Sequence, residues 1–484
     1  MKTNFYPKFV KTIFPILVSG FLLAACVQIV VPSIDSTQIP SETLERLEES
    51  TPLPSNPIPT EEDTFPTFTR PMHLEVDEKL LEGIQITLMH PWQDSARESL
   101  ESHVNEFNSS NQWGIIVNLD AKRGSDDLFE NLQDTLHSSE IPDIAVLYPH
   151  QAEQLNGNYL WMDLVSYVFD DNWGLDPEIL SDIPEGLLSS QMVGEKMLGF
   201  PALLSANVLF YNLTWANELG FETPPVTIQE LREQSCAAYQ ALLEDNITEN
   251  NGTGGMLLDF EPASALSWYH ALGGAQLPQQ GMLSFNNIQG QNAFASIKDL
   301  YDSGCAWVGR QSQPYDYFVK RMALFYTGAS TDIAQQLLAS SAMDSEDKWI
   351  MLPYPSIDGE GSLLFNNLSY IVTINKPEDQ LASWLFIRFM VEKAAIMKIS
   401  GVSTVFPLRM SVMKEIFAEP EWSYLGSVEN NVYFMPNRTR WSVESMVLQD
   451  AFLRSLILEP SSMSIVLETL DITLKELAEM SFDD

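Results

Sequence analysis

Between residues 84 and 148 the chain alternates between strand-like and helix-like hydrophobic patterns. "IQITLM" from Ile84 sets apolar and polar residues in turn, the period of a strand with one buried face. Ser95 and Glu98 stand at capping-box spacing ahead of Ala96, Leu100, Val104 and Phe107, which share one helical face. "IIVNL" from Ile115, an amphipathic stretch through Leu128, Leu132 and Leu136, and the apolar "DIAVLY" from Asp143 to Tyr148 repeat that order. Such a βαβαβ run predicts a mostly parallel sheet with helices on its faces. Ligands of open α/β sheets bind beyond the carboxyl ends of the strands, which directs attention to "HPWQD" after Met89 and "YPHQAE" after Leu147. Each sets an aromatic ring beside hydrogen-bonding groups, as a polar ligand with flat apolar faces requires.

The N-terminus addresses the chain outward. Lys2, Lys8 and Lys11 precede an apolar run from Ile13 to Ala25 with no acid among the first 25 residues, which reads as a signal peptide. The run is shorter than the roughly 20 residues a membrane span needs. It ends in Leu23-Ala24-Ala25-Cys26, which resembles the bacterial lipobox, and that likeness implies cleavage before Cys26 and lipidation of its thiol. Residues 26–80 are rich in Pro, Ser, Thr and Glu and read as an extended tether. Lipid, tether and body in that order place the body at the outer face of a membrane. The formal net charge of −40 excludes a nucleic-acid binder, because such binding depends on Lys and Arg neutralising phosphates. Cys236 and Cys305 remain as a pair in an exported chain, to be bridged or to stay as two buried thiols.

A length of 484 residues argues for two domains. In the middle, "LFYNLTWANELGFETPP" ends a strand at Asn212, turns through a short helix stopped by Gly220, and reaches a Thr227/Glu230 capping box over two stiffening prolines. "EKMLGFPALLSANVLFYN" before it reads as a hairpin or strand pair, so the whole stretch is a rigid crossover. The run "GFPALLSANVLFYNLTWANELGFETPPVTIQEL" resembles the extracellular solute-binding proteins of ABC importers, in the carbohydrate-binding family that includes maltose-binding protein. "PDIAVLY" before it, and "MALFYTGAS", "LLFNNLSYIVTINKPEDQLASWLFIRFM" and "FMPNRTRW" after it, continue the likeness over about residues 84–475.

That resemblance implies an α/β, two-lobed periplasmic-binding-protein fold of type II, with crossing hinge segments and a ligand cleft between the lobes. Residues 81–203 and 366–412 would form the first lobe, and 204–365 with 413–484 the second. It further implies a monomer that binds a mono- or oligosaccharide and hands it to ABC permease subunits in the membrane. Site residues carried over by alignment are Trp92 and Asp94 after the first strand, Tyr148 and His150 after the third, Ser205 beyond the crossover, Glu261 and Trp268, Tyr326 and Ser330, and Asn367 beside Asn366. Ser205 stands where maltose-binding relatives carry an acid, and Ala263 where they carry an aromatic, so the ligand need not be a maltodextrin.

The chain carries no phosphate-loop motif and no G-x-S-x-G, and its six histidines show no pair at zinc-ligand spacing. No catalytic residue, metal or cofactor is therefore expected, and the chain is read as a binding protein. Two rivals stay open: a surface glycoside hydrolase using Asp259 with Glu261 as acid and base, and a binder of a cationic solute such as a polyamine.

Overall fold

The fold is seen in a computed structural model, which describes residues 74–480 except 137–140, 156–159, 279, 310–313, 404 and 429. The expected signal peptide, Cys26 and most of the expected tether lie outside the described residues. The packed body begins ahead of residue 81. Leu74 donates its backbone N–H to Asp170 at 2.6 Å, a 3-10 turn spans Glu78–Leu81, and Glu78 accepts from the Trp113 indole at 2.9 Å.

The first strands form as the alternation demands. β1 (Gln85–His90) pairs in parallel with β2 (Ile116–Ala121) and β3 (Ile144–Leu147). Helices α1 (Asp94–Ser110) and α2 (Ser125–Thr135) make the crossovers. The Ser95/Glu98 capping box does not form: α1 starts at Asp94, so Ser95 already lies within the first turn, and Gln93 holds the cap position without a side-chain bond. The box at Thr227 and Glu230 is present and opens the helix Ile228–Glu244. Asn212 also acts as expected, accepting from the Trp215 amide at 2.9 Å to start the helix Leu213–Glu218.

A short hairpin, β4 (Met192–Val193) with β5 (Lys196–Met197), leads into β6 (Phe200–Asn212), one continuous strand where the sequence left a strand pair possible. The remaining strands are β7 (Gly254–Leu258), β8 (Ala306–Val308), β9 (Ala323–Ala329), β10 (Trp349–Leu352), β11 (Leu363–Val372) and β12 (Val432–Phe434). The large sheet runs β2-β1-β3-β11-β6-β9-β7-β8, with β10 on β6 and β12 on β11.

β6 exchanges neighbours half-way along. Its residues up to Asn207 lie antiparallel to β11, and from Asn207 onward it pairs with β9 and then also with β10. Two hydrophobic cores flank that exchange. One gathers Leu88, Val146, Tyr370 and Trp384 around β1, β3 and β11. The other gathers Tyr211, Trp268, Phe325 and Tyr354 with helices Pro262–Ala271 and Trp441–Ile457. Within the second, Cys236 and Cys305 are joined by a disulfide with Cα atoms 4.5 Å apart. Gly255 of β7 runs so close to this segment that a Cβ would stand 1.9 Å from the Cys305 carbonyl oxygen, which only a glycine avoids.

Candidate functional site

Two cavities, of about 400 and 530 Å³, lie where β6 changes partners, and both are walled by Asn207, Ala263 and Ala329. The first is lined by Trp92, Asp94 and Tyr148 from loops after β1 and β3, and by Ser205 and Asn366 from β6 and β11. Trp92 reaches it because its indole rests on His90, with ring centroids 5.7 Å apart, and meets Tyr370 edge-on at 6.3 Å. Asp94 holds φ at 47°, a left-handed conformation uncommon outside glycine, at the point where the chain turns from the cavity wall into α1. Tyr148 stacks on His150, with ring centroids 5.6 Å apart.

The second cavity is acidic. Asp259, Glu261 and Asp332 line it with Tyr315 and Gln449. Burial raises the Asp259 carboxyl to about 6, against hydrogen bonds from Thr327, Ser264 and the Glu261 amide that favour the charged form. Burial also raises Asp332, opposed by the Ala329 amide and by the Tyr315 hydroxyl, which donates to it at 3.1 Å. On the other side His90 and His150 are pushed down to about 4 by burial, so neutral imidazoles back both aromatic walls. The arrangement offers flat rings, hydroxyl and amide groups and the Asp94 carboxyl at one end and a cluster of three carboxyls at the other, and among the described residues no group of three or more ligands could hold a metal ion.

Residues 103–424 match the family model described as bacterial extracellular solute-binding protein. The chain belongs to that family. Solved structures extend the match to the fold of this solute-binding protein. The sugar-binding protein MalE from Xanthomonas citri aligns with a TM-score of 0.70 at 17% identity, over 81% of this chain and 97% of that one. The cyclic alpha-maltosyl-1,6-maltose binding protein from Arthrobacter globiformis aligns with a TM-score of 0.68 at 19% identity, over 82% and 99%. The Thermus thermophilus maltotriose binding protein gives 0.61 at 14%, over 81% and 99%. Comparison with curated protein sequences returned no match. The body is thus an α/β, two-lobed fold like that of maltose-binding protein, as the sequence predicts.

Within this solute-binding protein, Trp92, Asp94, Tyr148 and Ser205 line the first cavity and Glu261 the second. His150 stands behind Tyr148 and Ser330 behind Ser205, the Ser330 hydroxyl being fully buried and accepting from the Ala206 amide at 3.1 Å. Three residues point elsewhere. Trp268 is fully buried, edge-on to Tyr354 at 4.6 Å, because every residue of its helix from Ser264 to Ala271 is enclosed. Tyr326 is fully buried on the face of Phe210, with centroids 4.4 Å apart, and so has no ring face to offer. Asn367 turns away because strand side chains alternate: its amide donates to Ser369 at 3.1 Å, while its neighbour Asn366 lines the cavity. The sequence reading missed Asn207, Tyr315 and Asp332. Asn207 was open to discovery, since on a strand it shares a face with Ser205 two residues earlier.

Proposed function

We propose that this solute-binding protein captures a saccharide in the cleft by closing its two lobes, and delivers it to an ABC importer without altering it. The observation that carries this reading is the first cavity. Trp92 and Tyr148 offer flat apolar faces for sugar C–H groups, while Asp94, Ser205 and Asn366 offer hydrogen bonds, the pairing of chemistries a pyranose presents. The lobes are taken as 81–203 with 366–412 and 204–365 with 413–484, so that β6 and β11 carry the hinge. A solute touching both lobes only when they are closed favours that state by its differential affinity. The relatives are named for sugars that they bind, which supports the same class here. Export behind a signal peptide and lipidation of Cys26 would keep a monomer at the outer face of a bacterial membrane, beside its permease subunits.

A second reading, a cationic solute, is favoured by one observation, the carboxyls of Asp259, Glu261 and Asp332 in the second cavity. The test is calorimetry and thermal shift of the full chain with maltose, maltotriose, maltotetraose and spermidine, followed by chromatography of each ligand. A sugar that binds, stabilises and is recovered intact is the expected result. Binding of spermidine alone selects the cationic reading, and shortening of the oligosaccharide would make the protein a hydrolase.

A further inference from the structure

Asn207 stands where β6 passes from β11 to β9, and it walls both cavities. Its side chain is held by three hydroxyls that are almost wholly enclosed. Nδ2 donates to Ser267 Oγ and to Tyr354 Oη, each at 2.9 Å, and lies 3.5 Å from Ser264 Oγ. Donor bookkeeping fixes which end of the amide faces them. The Ser267 hydroxyl gives its one proton to the Ala263 carbonyl at 2.8 Å, so towards Asn207 it can only accept. Tyr354 donates to Ser264 at 3.4 Å, and Ser264 donates to the Asp259 carboxylate at 2.9 Å, so Tyr354 too has only an acceptor left. Both amide protons are consumed inward along two independent routes. Oδ1 is turned the other way, and among the described residues no hydrogen bond engages it.

We infer that Asn207 is a specificity-determining residue, locked with its carbonyl outward by the Ser267 and Tyr354–Ser264–Asp259 chains, so that it accepts a hydrogen bond from a solute donor where the two halves of the cleft meet. The inference rests on the cleft being the solute site, and it adds the chemistry read there: a hydroxyl or an ammonium is accepted, and an ether oxygen or a bare C–H is refused. A freely turning amide would serve donors and acceptors alike. A locked one discriminates, because a solute without the donor leaves a desolvated carbonyl unpaired. An ionised Asp259 enforces the direction of the longer chain, and its protonation, near pH 6, releases it. The titratable and charged groups around Asp259 are Glu261 beside it, Tyr354 on the chain, and Asp332 and Tyr315 in the same cavity wall.

The experiment uses the full chain and has two arms. In the first, without solute, the side-chain amide signal of Asn207 is assigned by its loss in Asn207→Ala and followed by 1H–15N NMR from pH 7.5 to 4.5. Slow exchange with water and a shift that tracks the Asp259 titration are expected, and both should be lost in Tyr354→Phe. An amide that exchanges freely in the wild type, or is indifferent to Tyr354→Phe, overturns the lock. In the second, maltotriose and spermidine are titrated into the wild type, Asn207→Ala, Tyr354→Phe and Ser267→Ala. Asn207→Ala should weaken whichever probe binds by about tenfold or more, the loss of one well-formed hydrogen bond to an enclosed partner. Tyr354→Phe and Ser267→Ala should weaken it less, and Tyr354→Phe should also abolish any dependence of affinity on pH near 6. Unchanged affinity in Asn207→Ala overturns the inference. If neither probe binds the wild type, the maltodextrin and polyamine versions of the proposed function have failed, and the NMR arm alone decides the lock.

Discussion

Lowering the pH from 7 to 5 removes a large part of the folding free energy, through three imidazoles that packing keeps neutral. Burial pushes His90, His150 and His270 from the ordinary 6.5 down to about 4, and for His270 it outweighs the bond its Nδ1 makes to the Gly274 carbonyl at 3.0 Å. A ring depressed in the folded state takes its proton only on unfolding, so its stabilising effect is complete above 6.5 and lost as the pH falls towards 4. At pH 5 each ring accounts for about 2 kcal/mol and the three together for about 6 kcal/mol. Asp259 and Asp332 act in the opposite sense: Asp259, raised to about 6, binds a proton in the folded state before the unfolded chain does, which restores about 1 kcal/mol at pH 5, and Asp332, also raised by burial, adds to that gain. Asp182 and Asp347, held below the ordinary 3.8 chiefly by their hydrogen bonds, lose their contribution only at lower pH. The net loss, on the order of 4 kcal/mol, is a large share of the stability of a typical domain. Urea unfolding followed by tryptophan fluorescence at pH 7, 6 and 5 measures it directly. His90→Phe and His270→Phe should each reduce the difference between pH 7 and pH 5 by about a third of the histidine part. A stability at pH 5 within about 1 kcal/mol of that at pH 7 would refute the reasoning.

Two further outcomes test the scaffold around the second hydrophobic core. Arg438 and Glu444, both nearly out of water, are joined by two bonds of 2.8 and 2.9 Å, and Arg438 also donates to the carbonyls of Pro278 and Gly281 at 2.7 Å, so Glu444→Ala should cost about 3–5 kcal/mol by leaving a guanidinium buried without its counter-charge. Melting that is unchanged in this variant, or a wild-type melting point that falls steeply with salt, would show the pair to be solvated instead. Reducing the Cys236–Cys305 bridge, which closes a separation of 69 residues, should lower stability by roughly 4 kcal/mol through the unfolded chain, and equal melting with and without reductant would contradict it.

The legible parts of the site were those that depend on a strand end. Trp92, Asp94 and Tyr148 could be placed because the polypeptide must leave a parallel strand at its carboxyl end, and the residues that follow have few other places to go. Trp268 and Tyr326 misled because an aromatic beside a site and one in the core look identical along the chain. Only the enclosure of the helix Pro262–Ala271 and the stacking of Phe210 on Tyr326 separate them. Asn366 and Asn367 differ by one residue, and the pleat of β11, which no local pattern phases between two polar neighbours, decided which of them faces the cavity.

Local sequence thus determined the βαβαβ opening and the Asn212 and Thr227 caps, because periodicity and capping act within a few residues. The tertiary structure decided that β6 is one strand shared by two halves of the sheet, and that Asp259 belongs to the same hydrogen-bonded chain as Asn207, 52 positions earlier, through Tyr354, 95 positions later. Such a chain has no local signature, since the donors and acceptors that orient one amide come from separate elements and acquire direction only when packing brings them within about 3 Å of one another.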